Sequence, residues 1–193
     1  GTFTSTATFT IGSYIITNNT INFNGSGLQT IPAFNYNNLT SSSTGARILV
    51  NGGTIGIAGT FTPGTNSYTI TGNTVNYNAI TTQTITAFNY NNLTISGNRT
   101  VNNVTFANGG TIGVAGSLTL SASFTSGNYV LTNNTINFNG TGSQTVPVLS
   151  YNNLTLTNAS TKTLAGATIV NGAVTINSGA TFDVSGSNYG LIV

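Results

Sequence analysis

The chain lacks Glu, His, Cys, Met and Trp, and it carries only four formal charges: Arg47, Arg99, Lys162 and Asp183. General acid–base catalysis needs a group that titrates near the working pH, and glycoside hydrolysis needs a pair of carboxyl groups. A metal centre needs several His, Cys, Asp or Glu ligands. These absences predict a protein that is not an enzyme and that uses no cofactor or metal.

Charge of either sign is scarce, since charged residues make up 2% of the chain and the formal net charge is +2. Nucleic-acid binding needs a basic footprint, which three cations over 193 residues do not supply. No apolar run approaches the ~20 residues that a helix needs to cross a bilayer. We therefore expect no nucleic-acid partner and no membrane-spanning segment. Because neither an initiator Met nor an apolar leader is present, we expect a processed product or an interior piece of a longer protein.

Thr, Asn, Gly and Ser supply 110 of the 193 residues, yet 8 Tyr, 10 Phe and many Val and Ile are also present. A disordered polar chain usually has high net charge and few aromatic or β-branched residues. These side chains instead suit pleated strands, while the strong helix formers are scarce. The composition predicts an all-β chain with almost no helix.

A long internal repeat dominates the chain. Its copies are YIITNNTINFNGSGLQTIPAFNYNNLT from Tyr14, YTITGNTVNYNAITTQTITAFNYNNLT from Tyr68 and YVLTNNTINFNGTGSQTVPVLSYNNLT from Tyr129, and a fourth begins at Tyr189. A second block reads NGGTIGIAGTFT from Asn51 and NGGTIGVAGSLT from Asn108, and a looser third copy reads NGAVTINSGATFDV from Asn171. We predict one array over 1–193, made of a partial repeat (1–13), three repeats (14–67, 68–128, 129–188) and the start of another (189–193).

Each repeat divides into three units of ~20 residues, in which short apolar–polar alternation is broken by Asn or Gly. Such a unit cannot bury its apolar face alone, and stacking like units creates a continuous core. The sequence therefore predicts a parallel β-solenoid (β-helix) of about nine to ten ~20-residue coils, grouped as three ~60-residue repeats and on the order of 45 Å long. A sandwich or barrel is the less favoured alternative, because a sandwich domain needs ~100 residues.

Aromatic and cationic residues recur once per repeat and form the candidate site. They are Tyr36, Tyr90 and Tyr151, followed 11, 9 and 11 residues later by Arg47, Arg99 and Lys162. The tyrosines fit either packed corner residues with solvated hydroxyls or an aromatic platform for a polysaccharide. The cations fit either a solubility device on a strand flank or a contact to an acidic polymer. Together the six residues are predicted as possible surface contact rows.

Asn pairs recur at unit starts, for example Asn37-Asn38, Asn91-Asn92 and Asn152-Asn153. Asn tolerates the left-handed backbone region in turns, and stacked Asn side chains can bond to one another along a rod. We interpret the pairs as structural, with sugar binding as the alternative.

The blocks FNGSGLQTI, YNNLT and NGGTIGIAGTFT resemble those of bacterial extracellular β-strand-repeat surface proteins, in the style of filamentous-haemagglutinin and autotransporter-passenger adhesins. The resemblance covers essentially the whole chain. It implies an exported rod at the cell surface that serves adhesion or fibre formation. Adhesin passengers usually carry more charge than this chain does.

The leading hypothesis is a non-enzymatic structural segment of an extracellular surface fibre, filament or stalk that assembles by solenoid stacking. Its partners would be other copies, end to end or side by side, or more of a longer chain. The alternative is an adhesin module that binds glycans or matrix through the Tyr, Asn and cation rows. A solenoid lyase or hydrolase lacks the carboxylates that its chemistry needs.

Overall fold

The structure, a computed structural model, describes residues 16–193. These residues form 27 short strands and one 3-10 turn at Ser185–Ser187. In chain order the strands are β1 Thr20–Phe23, β2 Gln29–Ile31, β3 Asn35–Tyr36, β4 Asn38–Ser41, β5 Arg47–Leu49, β6 Thr54–Ile57, β7 Phe61–Thr62, β8 Tyr68–Thr69, β9 Thr74–Tyr77, β10 Gln83–Ile85, β11 Asn89–Tyr90, β12 Asn92–Ile95, β13 Asn98–Thr100, β14 Val104–Phe106, β15 Thr111–Val114, β16 Leu118–Leu120, β17 Ser123–Phe124, β18 Tyr129–Leu131, β19 Thr135–Phe138, β20 Gln144–Val146, β21 Ser150–Tyr151, β22 Asn153–Leu156, β23 Thr161–Leu164, β24 Thr168–Val170, β25 Val174–Ile176, β26 Thr181–Asp183 and β27 Leu191–Ile192.

Each strand stacks in parallel on a strand of the neighbouring turn. The sheet orders are β1-β4-β7, β2-β5-β8, β3-β6-β9-β12-β16, β10-β14-β18, β11-β15-β19-β22-β25, β13-β17, β20-β23-β26 and β21-β24-β27. Most turns contribute three strands, so the described chain makes about nine turns. The predicted all-β parallel solenoid is confirmed. The predicted repeat boundaries stay a prediction, and those within 1–15 lie outside the described residues.

The core consists of side-chain columns that run along the solenoid axis. In one column Val114, Phe138, Leu156 and Ile176 follow one another in register on β15, β19, β22 and β25. The first three side chains are fully buried or nearly so, whereas Ile176 is 50% exposed because the described chain places no further turn over β25. Alternate strand residues point outward, which leaves Thr and Asn on the surface. Each turn therefore buries the apolar side chains of the turns on either side of it.

Members of the Asn pairs take the predicted left-handed turn positions, and other Asn side chains bond to one another between turns. Asn18 and Asn133 adopt left-handed backbone conformations at φ 59° and 54°. The amide of Asn78 donates to that of Asn35, two turns away, at 3.4 Å. The residue between them is Gly56, and a Cβ there would collide with the Asn35 side chain. Neither Asn35 nor Asn78 belongs to the predicted Asn pairs, so this amide-to-amide bond is a separate contact, and it needs a glycine between its two amides.

The stacked turns correct one alignment made from the sequence. The carbonyls of Tyr36, Tyr90 and Tyr151 accept hydrogen bonds from the backbone N–H groups of Ala58, Ala115 and Asn171, respectively. Asn171 is therefore equivalent to Ala58 and Ala115, and not to Asn51 and Asn108 as the block NGAVTINSGATFDV suggested. The similarity of short Asn-Gly strings misled the alignment, because such strings occur at more than one corner of a repeat.

Candidate functional site

The six residues predicted to form surface contact rows lie inside the solenoid. Each has a relative exposure of 0%: Tyr36, Tyr90, Tyr151, Arg47, Arg99 and Lys162. The prediction of surface contact rows is therefore wrong, for the tyrosines and for the cations alike. These residues occupy inward positions of short strands, and their polar atoms find partners on the backbone at the corners.

The tyrosine hydroxyls are bonded to the protein rather than solvated. Each donates to the carbonyl oxygen four residues earlier: Tyr36 to Pro32 at 3.0 Å, Tyr90 to Thr86 at 2.9 Å and Tyr151 to Pro147 at 2.7 Å. The Tyr90 hydroxyl also lies 2.8 Å from that of Tyr77. Burial raises the pKa of all three residues, so they remain neutral phenols in the folded chain. Each of these hydrogen bonds links the tyrosine to the corner that precedes its strand.

Arg47 sits in a cage of backbone carbonyls. Its Nη2 donates to Ser42 O at 2.6 Å and to Phe23 O at 2.8 Å, and its Nη1 donates to Gly45 O at 2.8 Å. Its Nε donates to Ser41 Oγ at 2.8 Å. The partial negative charges of the carbonyl dipoles take the place of a carboxylate partner.

The other two cations occupy similar cages. Arg99 Nη1 donates to Thr81 O at 2.9 Å, and its Nη2 donates to Tyr77 O at 3.0 Å. Lys162 Nζ donates to Gly140 O at 2.7 Å and to Ser160 Oγ at 2.6 Å. Burial lowers the pKa of both Arg99 and Lys162, because desolvation disfavours the charged form.

A glutamine lies beside each cation on the preceding turn. Gln29 pairs in register with Arg47, Gln144 pairs in register with Lys162, and Gln83 Oε1 accepts from Arg99 Nη2 at 2.9 Å. We call the three pairs Gln29/Arg47, Gln83/Arg99 and Gln144/Lys162 the polar corners. Each polar corner binds a loop whose carbonyls point inward.

The glutamines also connect successive repeats. Gln144 Nε2 donates to Val114 O at 2.8 Å and to Gly116 O at 2.7 Å, both one turn back. Gln83 makes the equivalent bonds to Ile57 O at 2.8 Å and Gly59 O at 2.9 Å. Sequence reasoning missed these residues. The available signal was that the only three glutamines of the chain hold the same place in each repeat.

The polar corners are suited to holding turns together and not to chemistry on a ligand. Most of their side-chain donors are bonded to backbone or hydroxyl oxygens, although the buried Arg99 Nε has no partner within the described chain, and the side chains that carry them are buried or half-buried. Over residues 16–193, no group of three or more His, Cys, Asp or Glu is placed to bind a metal. Within the same residues, no helix is long and apolar enough to cross a membrane.

One surface groove combines aromatic and amide side chains. We call it the Phe88 groove, after its central residue; Asn66, Tyr68 and Asn89 also line it, and its volume is about 610 Å³. The Tyr68 and Phe88 rings meet edge to face, with centroids 4.9 Å apart. The groove is lined by residues in and beside β8 and β11, which are the end strands of two different sheets. Asn66 Oδ1 is buried and accepts no hydrogen bond, although its Nδ2 donates to Gly45 O at 2.7 Å.

The fold and this site define a parallel β-solenoid with repeated polar corners. Comparisons of the chain with protein-family models, curated proteins and solved structures found no match.

Proposed function

We propose that the chain is a non-enzymatic structural segment of an extracellular surface fibre, filament or stalk, lengthened by stacking of solenoid turns. The proposal rests on the orientation of the polar side chains, which point into the solenoid and not toward a ligand. The hydroxyls of Tyr36, Tyr90 and Tyr151 and the charges of all three cations are bonded to backbone carbonyls of their own or adjoining turns. Side chains used in this way hold parts of the rod together and present no polar group to solvent.

Stacking of further turns is supported by the last described turn. Strands β25, β26 and β27 each pair on one edge only, and Ile176, in register with the buried Leu156, is 50% exposed. Open strand edges with apolar neighbours are templates for another strand. A further solenoid turn, from the same or another chain, would cover them with the pairing that the interior already repeats.

The localisation is tested by immunogold electron microscopy of the cells that make the protein. We expect gold on fibres or stalks outside the cell, and labelling confined to the cytoplasm would reject the proposal. Fibre diffraction of the labelled material should show an axial spacing of ~4.8 Å. Its absence from well-aligned fibres would reject solenoid stacking even if the label is extracellular.

A second candidate function, glycan binding by a cell-surface adhesin module, is favoured by the Phe88 groove. Pyranose rings bind where apolar aromatic surface adjoins amide donors and acceptors, and the groove offers Tyr68 and Phe88 beside Asn66 and Asn89. In this second function the groove, and not the buried Tyr and cation residues predicted from the sequence, would contact the glycan.

Replacing Phe88 tests this second function. Leu149 occupies the equivalent position in the third repeat, so Phe88→Leu should fold. On a glycan array we expect Phe88→Leu to lose binding that Phe34→Leu, the equivalent change in the first repeat, retains. Equal binding by both variants, or no binding by the unaltered protein, would reject the groove as a glycan site.

A further inference from the structure

The chain contains five Asn-Gly pairs, which differ in their local hydrogen bonding. They are Asn24-Gly25, Asn51-Gly52, Asn108-Gly109, Asn139-Gly140 and Asn171-Gly172. In this dipeptide the glycine nitrogen can attack the asparagine side-chain carbonyl, because no Cβ hinders its approach. The attack requires that the glycine nitrogen lose its proton and turn toward the asparagine side chain. A hydrogen bond from that N–H group hinders both. Protection of that N–H should therefore decide which asparagine reacts.

Four of the five glycine N–H groups are bonded. Gly25 and Gly140 donate to the side-chain oxygens of Gln29 and Gln144, at 2.7 and 2.9 Å, while Gly52 donates to Gly72 O at 3.0 Å and Gly172 to Asn152 O at 2.8 Å. Among the described residues, the N–H of Gly109 has no acceptor. Exposure of the asparagine alone does not separate the sites, since Asn24, Asn51 and Asn171 are exposed, as is Asn108.

The neighbouring turn places a different residue beside Gly109 than beside Gly52. Both follow an asparagine in the block NGGTIG, but Gly72 lies beside Gly52, whereas Asn133 occupies the equivalent position beside Gly109. The Asn133 Nδ2 donates to Asn108 Oδ1 at 3.3 Å. A donor on this oxygen draws electrons from Cγ and makes that carbon a better electrophile.

We propose that Asn108 is a site of spontaneous deamidation in the folded protein. The Gly109 nitrogen loses its proton to solvent base and attacks Cγ of Asn108. A bond forms between that nitrogen and Cγ, the bond between Cγ and Nδ2 breaks, and ammonia leaves with a proton from water. A water molecule then opens the cyclic imide to aspartate or isoaspartate, and no atom changes oxidation state overall.

Deamidation at Asn108 would weaken the solenoid locally. It adds one negative charge to a chain whose formal net charge is +2. The isoaspartate product also lengthens the main chain by one carbon just before β15. That strand pairs with β19 from Thr111 opposite Thr135, so the insertion falls where in-register stacking starts. Aged protein should therefore open first at this turn.

Peptide mapping by mass spectrometry tests the proposal on the full chain. The folded protein is incubated in mildly alkaline buffer, and each Asn-Gly peptide is monitored for loss of the amide and for isoaspartate. We expect Asn108 to react about tenfold or more faster than each of the other four, because their protected N–H groups react only after local opening. In denaturant all five should react at similar rates.

Asn133→Gly is the matched variant, because it recreates the arrangement around Gly52. Glycine accepts the left-handed conformation of position 133, where φ is 54°. We expect this change to protect Asn108 and to leave the rates at Asn24 and Asn171 unaltered. The proposal is overturned if Asn108 reacts no faster than Asn51 in the folded protein, or if Asn133→Gly leaves the Asn108 rate unchanged.

Discussion

Lys162 shows at the residue scale how a buried charge is accommodated without a carboxylate. Desolvation lowers its pKa and costs stability, whereas its ammonium satisfies Gly140 O, Gly142 O and Ser160 Oγ. A buried carbonyl that loses its donor costs ~1–3 kcal/mol. If the ammonium is removed, the buried Gly140 O keeps only the 3.2 Å bond from Ser160 Oγ, so we expect the lost hydrogen bonds to outweigh the desolvation that removal would relieve.

We therefore predict that Lys162→Met lowers the free energy of unfolding by ~2 kcal/mol. Lys162→Arg is the matched control and should cost less, since Arg47 and Arg99 hold the same position in the other repeats. Urea unfolding at neutral pH measures both changes. A Met variant as stable as the unaltered protein would show that desolvation, and not hydrogen bonding, dominates at this corner.

The side chain of Gln144 bonds across the junction between the second and third repeats. We predict that Gln144→Leu costs ~2–3 kcal/mol, because Val114 O, Gly116 O and the Gly140 N–H all lose a partner. Thr145→Val, an outward change on the same strand, should cost under ~0.5 kcal/mol. The two variants can be compared by thermal melting. Equal melting temperatures would refute the role given to the glutamine.

At the scale of the element, the corner loops control how closely two turns approach. Gly45 packs against the loop that follows β1, and a Cβ at Gly45 would collide with the carbonyls of Gly25 and Gly27 in that loop. These carbonyls are backbone atoms that also accept from Arg47, so they have little freedom to move. A Cβ at Gly27, by contrast, meets nothing within 4 Å.

Gly45→Ala and Gly27→Ala therefore form a matched pair with opposite expectations. We expect Gly45→Ala to destabilise the fold by ~2–3 kcal/mol through overpacking. Gly27→Ala should change stability by less than ~1 kcal/mol, since it adds a methyl group in open space. Denaturant unfolding of both variants provides the measurement. A comparable loss in the two would mean that backbone freedom, and not space, makes these positions glycine.

At the scale of the whole molecule, buried tyrosine should dominate the dependence of stability on pH. Burial raises the pKa of six tyrosines above 10: Tyr36, Tyr68, Tyr77, Tyr90, Tyr129 and Tyr151. Above pH 10 the unfolded chain loses phenol protons that the folded chain retains, so stability falls as pH rises. Lys162 acts in the opposite direction, because burial lowers its pKa in the folded chain. Between this lowered pKa and the usual lysine pKa, the folded chain has lost a proton that the unfolded chain retains, so stability rises with pH in that interval. Six tyrosines outweigh one lysine.

We predict that the melting temperature stays nearly constant from about pH 5 to pH 9 and falls steeply above about pH 10. Each buried phenol contributes up to ~1.4 kcal/mol per pH unit in that range. Asp183, whose pKa is lowered by bonds to Ser185, loses its small contribution only at acid pH. Circular dichroism melts across this range check the profile. An unchanged melting temperature at pH 11 would contradict it, and added salt should have little effect at neutral pH.

The solenoid could be predicted from the sequence because its determinants are local and repeated. Apolar–polar alternation around residues such as Ile21 and Phe23, with Asn or Gly at each corner, defines short strands. Near-identical copies at spacings of 54, 61 and 60 residues then favour stacking of like on like. Neither inference needs knowledge of distant contacts.

Only the tertiary structure decided that the cations point inward and that glutamine side chains connect successive repeats. Arg47, Arg99 and Lys162 read as surface residues, since charge is normally costly to bury. They are buried because carbonyls of their own corner loop and of the preceding turn converge on them, and the carbonyls of the preceding turn lie about 20 positions away in sequence. The sequence by itself determined the period and the strands, which depend on neighbouring residues. Which polar groups face inward depends as well on acceptors that only the stacked neighbouring turns bring into place.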